Sequence, residues 1–193
     1  KKNIKKDIID NIITLFYALV IAILIRSLFF QPFYIPSSSM EPTLLIGDRI
    51  FVAKYTYGYS KHSFPFSPSL FSSRIMGKTP EYGDLVVFKT PADNRTDYIK
   101  RLIGLPGDSI QFVEGEIFIN DQKTSRRKID ETFEIRCGSH SPETNAFEET
   151  LPNGRKYIAV YNKGGTMKNT DKYSVPENHY FFLGDNRDCS KDS

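Results

Sequence analysis

The chain has 193 residues, enough for one domain of ordinary size or one domain with a modest insertion. Its 26 Lys and Arg against 23 Asp and Glu leave a formal net charge of +3, too small an excess to imply a nucleic-acid surface. Two Cys, Cys137 and Cys189, with no C-x-x-C spacing and no adjacent His, argue against a zinc site. They can pair, but a couple so far apart in sequence is weak ground for a disulfide, and free thiols are the expectation. Fifteen Phe, eleven Tyr and no Trp make the chain aromatic-rich, which suits strands better than helices.

Residues 12–25 read I-I-T-L-F-Y-A-L-V-I-A-I-L-I without a charge, and Leu28, Phe29 and Phe30 carry the apolar run past Arg26 and Ser27. Together, residues 12–30 approach the ~20 that a helix needs to cross ~30 Å of hydrocarbon. Arg26 sits near one end, where its side chain can snorkel to the headgroups. A cleavable signal peptide would lead into small residues at an A-x-A-like site, whereas this segment runs into R-S-L-F-F-Q-P-F, so an uncleaved anchor is expected. A buried helix of a soluble protein would show a polar stripe, and this segment has none. Lys1, Lys2, Lys5 and Lys6 precede it and outweigh Arg26. By the positive-inside rule they keep the N-terminus in the cytoplasm and send everything after Phe30 across the membrane.

Beyond the anchor the signals are short strands, at residues 49–54, 84–89, 98–103, 109–112, 116–120, 156–161 and 179–183, with Gly-Leu-Pro-Gly-Asp at 104–108 as a turn. Residues 123–170 are charged, with Asn153-Gly154 and Gly164-Gly165 turns, and read as an inserted smaller lobe. The expected fold is mainly β: an N-terminal transmembrane helix, then a curved, partly closed antiparallel sheet domain carrying that lobe. The layout is a basic N-terminus (1–11), the anchor (12–30), a β core (31–122 and 171–193) and the lobe (123–170). With no initiator Met and a stop at Ser193 directly after a motif-dense stretch, the chain is expected to be a fragment, incomplete at least C-terminally. Residues 64–71 (F-P-F-S-P-S-L-F) form either a loop touching the bilayer or one packed on its own domain.

A His-based triad has little support, since His62, His140 and His179 lie in loop-like or strand-edge surroundings and no G-x-S-x-G is present. Gly104 and Gly107 lack the G-K-[ST] ending of a phosphate loop, and H-E-x-x-H is absent, so no cofactor and no metal are implied. What is left is P-S-S-S-M-E-P-T at 36–43. A Ser cluster between prolines is ordinarily a linker. Here Phe33, Tyr34 and Ile35 precede it and Leu44 and Leu45 follow, which would hold it against a core.

With three further motifs in fixed order, that segment makes the chain resemble the bacterial type I signal peptidases, or leader peptidases. Their P-S-x-S-M-x-P-T-L is read at 36–44, G-D-x-[IV]-x-V-x-K at 47–54, K-R-x-x-G-x-P-G-D at 100–108 and G-D-N-R-D-x-S-x-D-S at 184–193. The resemblance spans nearly the whole chain. It departs at Cys189, where the family often has Asn, and at Ser193, before the Arg and closing strands to which the last motif normally leads. The resemblance implies a mainly β catalytic core with a variable lobe inserted. It also implies a membrane-bound serine endopeptidase with a Ser/Lys dyad, removing signal peptides from exported preproteins after small residues of an A-x-A-like site. The place implied is the inner (cytoplasmic) membrane, crossed once, with the catalytic domain outside. The partners implied are preproteins and the lipid bilayer, without nucleic acid or metal.

Residue by residue, Ser39 matches the nucleophile and Lys100 the general base. The Ser39 N–H and the Ser37 hydroxyl match oxyanion donors, and Ser190 matches the Ser that orients the lysine amine. Asp185 and Asp192 match bracing acids, pairing with Arg101 or an Arg further on, although Asp185 reads nearly as well as a turn residue. Ile35 and Ile99 match the walls of pockets for small P1 and P3 residues. The chemistry is coherent: a lysine of ordinary pKa near 10.4 costs roughly 4.6 kcal/mol to hold neutral at pH 7, and burial shifts lysines far enough to supply that. Tyr98, Lys100 and Leu102 would share one strand face. Two rivals are weaker. The self-cleaving domains of SOS-response repressors share a Ser/Lys dyad but carry a DNA-binding helical module where this chain has an anchor. An inactive membrane-tethered scaffold would not need both Ser39 and Lys100.

Overall fold

The computed structural model describes residues 4–64, 74–165 and 169–192. Lys1, Lys2, residues 65–71 of the Pro-broken apolar stretch, residues 166–168 of the expected lobe and Ser193 lie outside the described residues. The chain divides into two compact units, one of Lys1–Phe33 with Arg49–Thr79, the other of Tyr34–Asp48 with Pro80–Ser193.

In the first unit, an uninterrupted run without Gly or Pro forms helix α1 (Ile4–Leu28) of 25 residues. At 1.5 Å per residue it is about 37 Å long, more than the ~30 Å of bilayer hydrocarbon. Ile12, Leu15, Phe16, Leu19 and Ile23 are all exposed and Ser27 is its one buried residue, so no core covers it. It is long and apolar enough to cross a membrane. The helix stops short of Phe30, which already opens strand β1 (Phe30–Tyr34). Pro32 explains this: it disfavours helical geometry at Gln31 and offers no N–H to the ladder. Strand β1 pairs with β2 (Arg49–Ala53). The helix exit is fixed by Lys54 N–H donating to the Phe29 carbonyl (2.9 Å) and the Tyr59 hydroxyl donating to the Leu28 carbonyl (2.8 Å).

The second unit holds β3 (Leu85–Lys89), β4 (Asp97–Gly104), β5 (Ser109–Val113), β6 (Glu116–Ile119), β7 (Gln122–Lys123), β8 (Ser125–Ile129), β9 (Thr144–Thr150), β10 (Lys156–Asn162), β11 (Tyr173–Ser174) and β12 (Phe181–Leu183). They form three antiparallel sheets, in the orders β12-β4-β3, β11-β5-β6-β7 and β10-β9-β8. The protein is mainly β with one N-terminal apolar helix, and the strands divide among small sheets with no closed sheet among the described residues. Residues 123–170, expected as a lobe, supply the β10-β9-β8 sheet, yet Tyr157, Ala159 and Tyr161 of β10 share a core with Ile103 of β4, Phe112 of β5 and Leu183 of β12. Strand β4 is buried from Lys100 to Gly104 without alternation, because both its faces are covered. Its exit is set by Asp108, whose carboxylate accepts from Leu105 N–H, Tyr82 OH and Asn120 Nδ2 at 2.7 Å each.

Candidate active site

The Ser-rich segment is built into the core. Ile35 is 2% exposed, donates its N–H to the Asp48 carbonyl and accepts Gly47 N–H at its own carbonyl, 2.9 Å each. A 3₁₀ turn (Ser38–Met40) follows, anchored by Met40, which is 1% exposed. Ser39 is half-buried on this turn, its hydroxyl 3.3 Å from that of the exposed Ser37. Asn186 grips the turn from the other end of the chain: its backbone N–H donates to the Ser39 carbonyl (3.1 Å) and its Nδ2 to the Ser38 carbonyl (3.1 Å). The buried Glu41 accepts the Arg136 N–H through Oε2 at 2.8 Å.

Lys100, on the fully packed part of β4, is 3% exposed. Its Nζ donates to Ser190 Oγ at 2.5 Å and lies 5.7 Å from the centre of the Tyr98 ring. Burial lowers its pKa from the ordinary 10.5, with Asp192 and Asp185 pulling partly back. The amine bonds Ser190 and not Ser39, so the two expected dyad members make no direct hydrogen bond here. Gly184 lets Ser190 lie against the Ser39 turn: a Cβ at that position would collide with both Ser190 Oγ and the Ser39 carbonyl oxygen. Only a residue without a side chain lets the two serines approach so closely.

The frame around them is ionic. Arg101 is 7% exposed and forks onto the fully buried Asp185 through Nε and Nη2, 2.7 Å each, with Nη1 on the Gly83 carbonyl at 3.0 Å. Asp185 also takes the Thr43 hydroxyl at 2.5 Å, tying the Arg101 pair to the Ser-rich segment. Asp192 accepts Gly184 N–H at 2.5 Å. One residue past Asn186, the fully buried Arg187 donates to the Gly184 carbonyl (3.0 Å), Tyr161 OH (2.7 Å), Tyr157 OH (2.6 Å) and Glu149 Oε2 (2.8 Å). Breaking a buried pair of this kind costs ~3–5 kcal/mol, because the survivor is left charged and unpartnered.

Of the residues picked from sequence, Ser37, Ser39, Lys100, Arg101, Asp185, Ser190 and Asp192 therefore gather around Gly184. Ile35 is part of the core beside them, and Ile99 is half-buried on β4, paired with Val87 of β3. Asn186, Glu41, Thr43, Arg187 and Glu149 were missed. The first four lie inside the motifs and could have been found there, whereas Glu149 gives no sequence signal. Cys137 and Cys189, expected as free thiols, instead form a disulfide with Cα atoms 5.3 Å apart. Their distance in sequence misleads because Asn186 Nδ2 bonds the Arg136 carbonyl (3.2 Å), laying the two segments side by side. His140 and His179 are exposed and bonded within their own turns. Among the described residues no group of His, Cys, Asp and Glu is placed to hold a metal ion. A cavity of about 510 Å³, lined by Ile110, Phe112, Tyr173 and Phe181 among others, includes none of the site residues.

The family model described as "Signal peptidase, peptidase S26" matches residues 8–193. The signal peptidase I of Rickettsia akari (strain Hartford) is 46% identical across 92% of this chain and 68% of its own length. That of Rickettsia prowazekii (strain Madrid E) is 45% identical across 92% and 69%. The crystal structure of a signal peptidase I from Enterococcus faecalis V583 is 26% identical, covers 60% of this chain and 85% of its own, and has a TM-score of 0.33.

Proposed function

The chain belongs to the signal peptidase family, peptidase S26, and is a serine endopeptidase; from that premise we propose that it removes signal peptides with Ser39 as nucleophile and Lys100 as general base. The observation that carries this reading is the buried amine of Lys100, with its pKa lowered, held on Ser190 Oγ one hydroxyl away from the Ser39 turn. Ser39 Oγ attacks the scissile carbonyl carbon while its proton passes to neutral Lys100. The tetrahedral oxyanion rests on the Ser39 N–H and the Ser37 hydroxyl, each donor worth roughly 3–4 kcal/mol in other hydrolases. The new ammonium protonates the leaving amine, and the neutral amine then activates water to cleave the acyl-enzyme. The Ser39–Lys100 bond is not made here, as catalytic bonds often are not before substrate tightens them.

Ile35 and Ile99 wall pockets that admit only small P1 and P3 side chains. Helix α1 spans the inner membrane once, with residues 1–11 cytoplasmic and the β domain outside, where exported preproteins arrive. The test is cleavage of a model preprotein by the detergent-solubilised protein, with sequencing of the new N-terminus. Wild type is expected to cut after an A-x-A-like site, Ser39→Ala and Lys100→Ala to be equally inert, and Ser190→Ala to keep partial turnover. Lys100→Arg is expected to be inert too, since guanidinium cannot accept the Ser39 proton. Robust turnover by Lys100→Arg would remove Lys100 from the mechanism.

A further inference from the structure

Ser190, which receives the Lys100 amine, caps a short 3₁₀ turn (Arg187–Cys189) whose last residue donates its N–H to the Asn186 carbonyl at 3.3 Å and whose sulfur lies 3.7 Å from Asn162 Nδ2. Before it, Arg187 is locked by Glu149, Tyr157 and Tyr161, and Asp188 by Asn162 N–H. After it comes the exposed Lys191, and then Asp192, which accepts Gly184 N–H. The immediate neighbour, Cys189, is held covalently by Cys137. The segment that carries Cys137 is itself fixed to the nucleophile loop. Ile135 is 1% exposed, Arg136 N–H donates to Glu41 Oε2, and the Arg136 carbonyl accepts Asn186 Nδ2. One covalent bond thus joins the strap that braces Ser39 to the residue next to the one that aims Lys100.

We infer that the Cys137–Cys189 disulfide is a positioning device for the Lys100 amine, acting through Ser190, so that turnover answers to the redox state of that bond; the inference rests on the peptidase reading above. Both cysteines are half-buried, neither fully closed off from solvent. Reduction breaks the S–S bond: two electrons and two protons pass from the dithiol, which leaves as its own disulfide, and Cys137 and Cys189 become thiols. Cys189 and Ser190 then drift from β4 and water reaches the amine. The groups facing Lys100 are the Tyr98 ring, the Ser190 hydroxyl and the carboxylates of Asp192 and Asp185, the latter neutralised by Arg101. None of these compensates for the water admitted, so the amine returns toward ordinary lysine basicity.

The experiment uses the full chain in detergent, oxidised, reduced with dithiothreitol and reoxidised, beside a Cys137→Ala/Cys189→Ala variant. The first readout needs no turnover: the pH dependence of acylation of Lys100 by an amine-selective reagent, followed by mass spectrometry. Its midpoint is expected at higher pH in the reduced protein and in the double variant, and back at its starting value on reoxidation. In preprotein cleavage, kcat is expected to fall about tenfold with KM little changed, short of the ~10²-fold that a 1 Å misplacement can cost. The acid limb is expected to move to higher pH. An unchanged Lys100 midpoint in fully reduced protein overturns the inference, as does a double variant that still responds to the dithiol. A shifted midpoint in a protein that cleaves no preprotein leaves the positioning role standing and overturns the peptidase reading instead.

Discussion

On the proposed mechanism, Lys100 is the residue at which activity and stability pull in opposite directions. Its pKa in the folded protein lies below the unfolded value because burial disfavours the charged form. Between the two pKa values the unfolded chain binds a proton that the folded chain lacks, so stability rises as pH climbs through that window. Lys100→Met keeps the length of the side chain and discards the amine. It is expected to raise Tm at neutral pH, by ~2–4 °C for each kcal/mol regained, and to flatten the slope of stability against pH while abolishing turnover. Calorimetry of the two proteins between pH 6 and pH 10 checks this, and a variant less stable than wild type at neutral pH would contradict it. Asp185 is the opposite case. Its charge is matched by the Arg101 fork, so Asp185→Asn is expected to cost ~3–5 kcal/mol in denaturant titration.

At the scale of elements, the decisive contact is the turn at Gly184. Gly184→Ala places a methyl against Ser190 Oγ and the Ser39 carbonyl, which must separate to accept it. Turnover is expected to fall at least tenfold, with a stability loss of ~1–3 kcal/mol, the usual cost of overpacking. A preprotein assay with chemical denaturation of the same sample tests both, and full activity would mean that the turn has slack. Elements were legible where burial shows as apolar residues. Strands β2 to β6, β10 and β12 follow the β-branched and aromatic runs closely. Strands β8 and β9 were not legible, because S-R-R-K-I and T-N-A-F-E-E-T carry their burial in disguised form. Arg126 lays its guanidinium 4.0 Å from the Phe147 ring centre, and the buried Glu149 is matched by Arg187, nearly forty positions on, and by the Tyr157 and Tyr161 hydroxyls. The site was legible from its motifs, yet the disulfide was not, since no local pattern encodes which remote turn lies beside Cys189.

For the whole molecule, the proposed orientation rests on Lys5 and Lys6, with Lys1 and Lys2 before them in sequence, ahead of the apolar run of α1. Reporter fusions at about Asn94 are expected to be active only as exported reporters; activity of a cytoplasm-only reporter there would reverse the orientation. The braces of the Ser39 turn come from far along the chain: Thr43 meets Asp185 across 142 positions and Ser38 meets Asn186 across 148. Contacts that distant are slow to close, because the intervening loop must first lose its freedom. Synthesis runs in the same direction, so residues 37–43 leave the ribosome long before residues 184–192 exist. On the proposed mechanism Ser39 is therefore unarmed in the nascent chain, and stays so until residues 184–192 have been made and have folded back onto its turn.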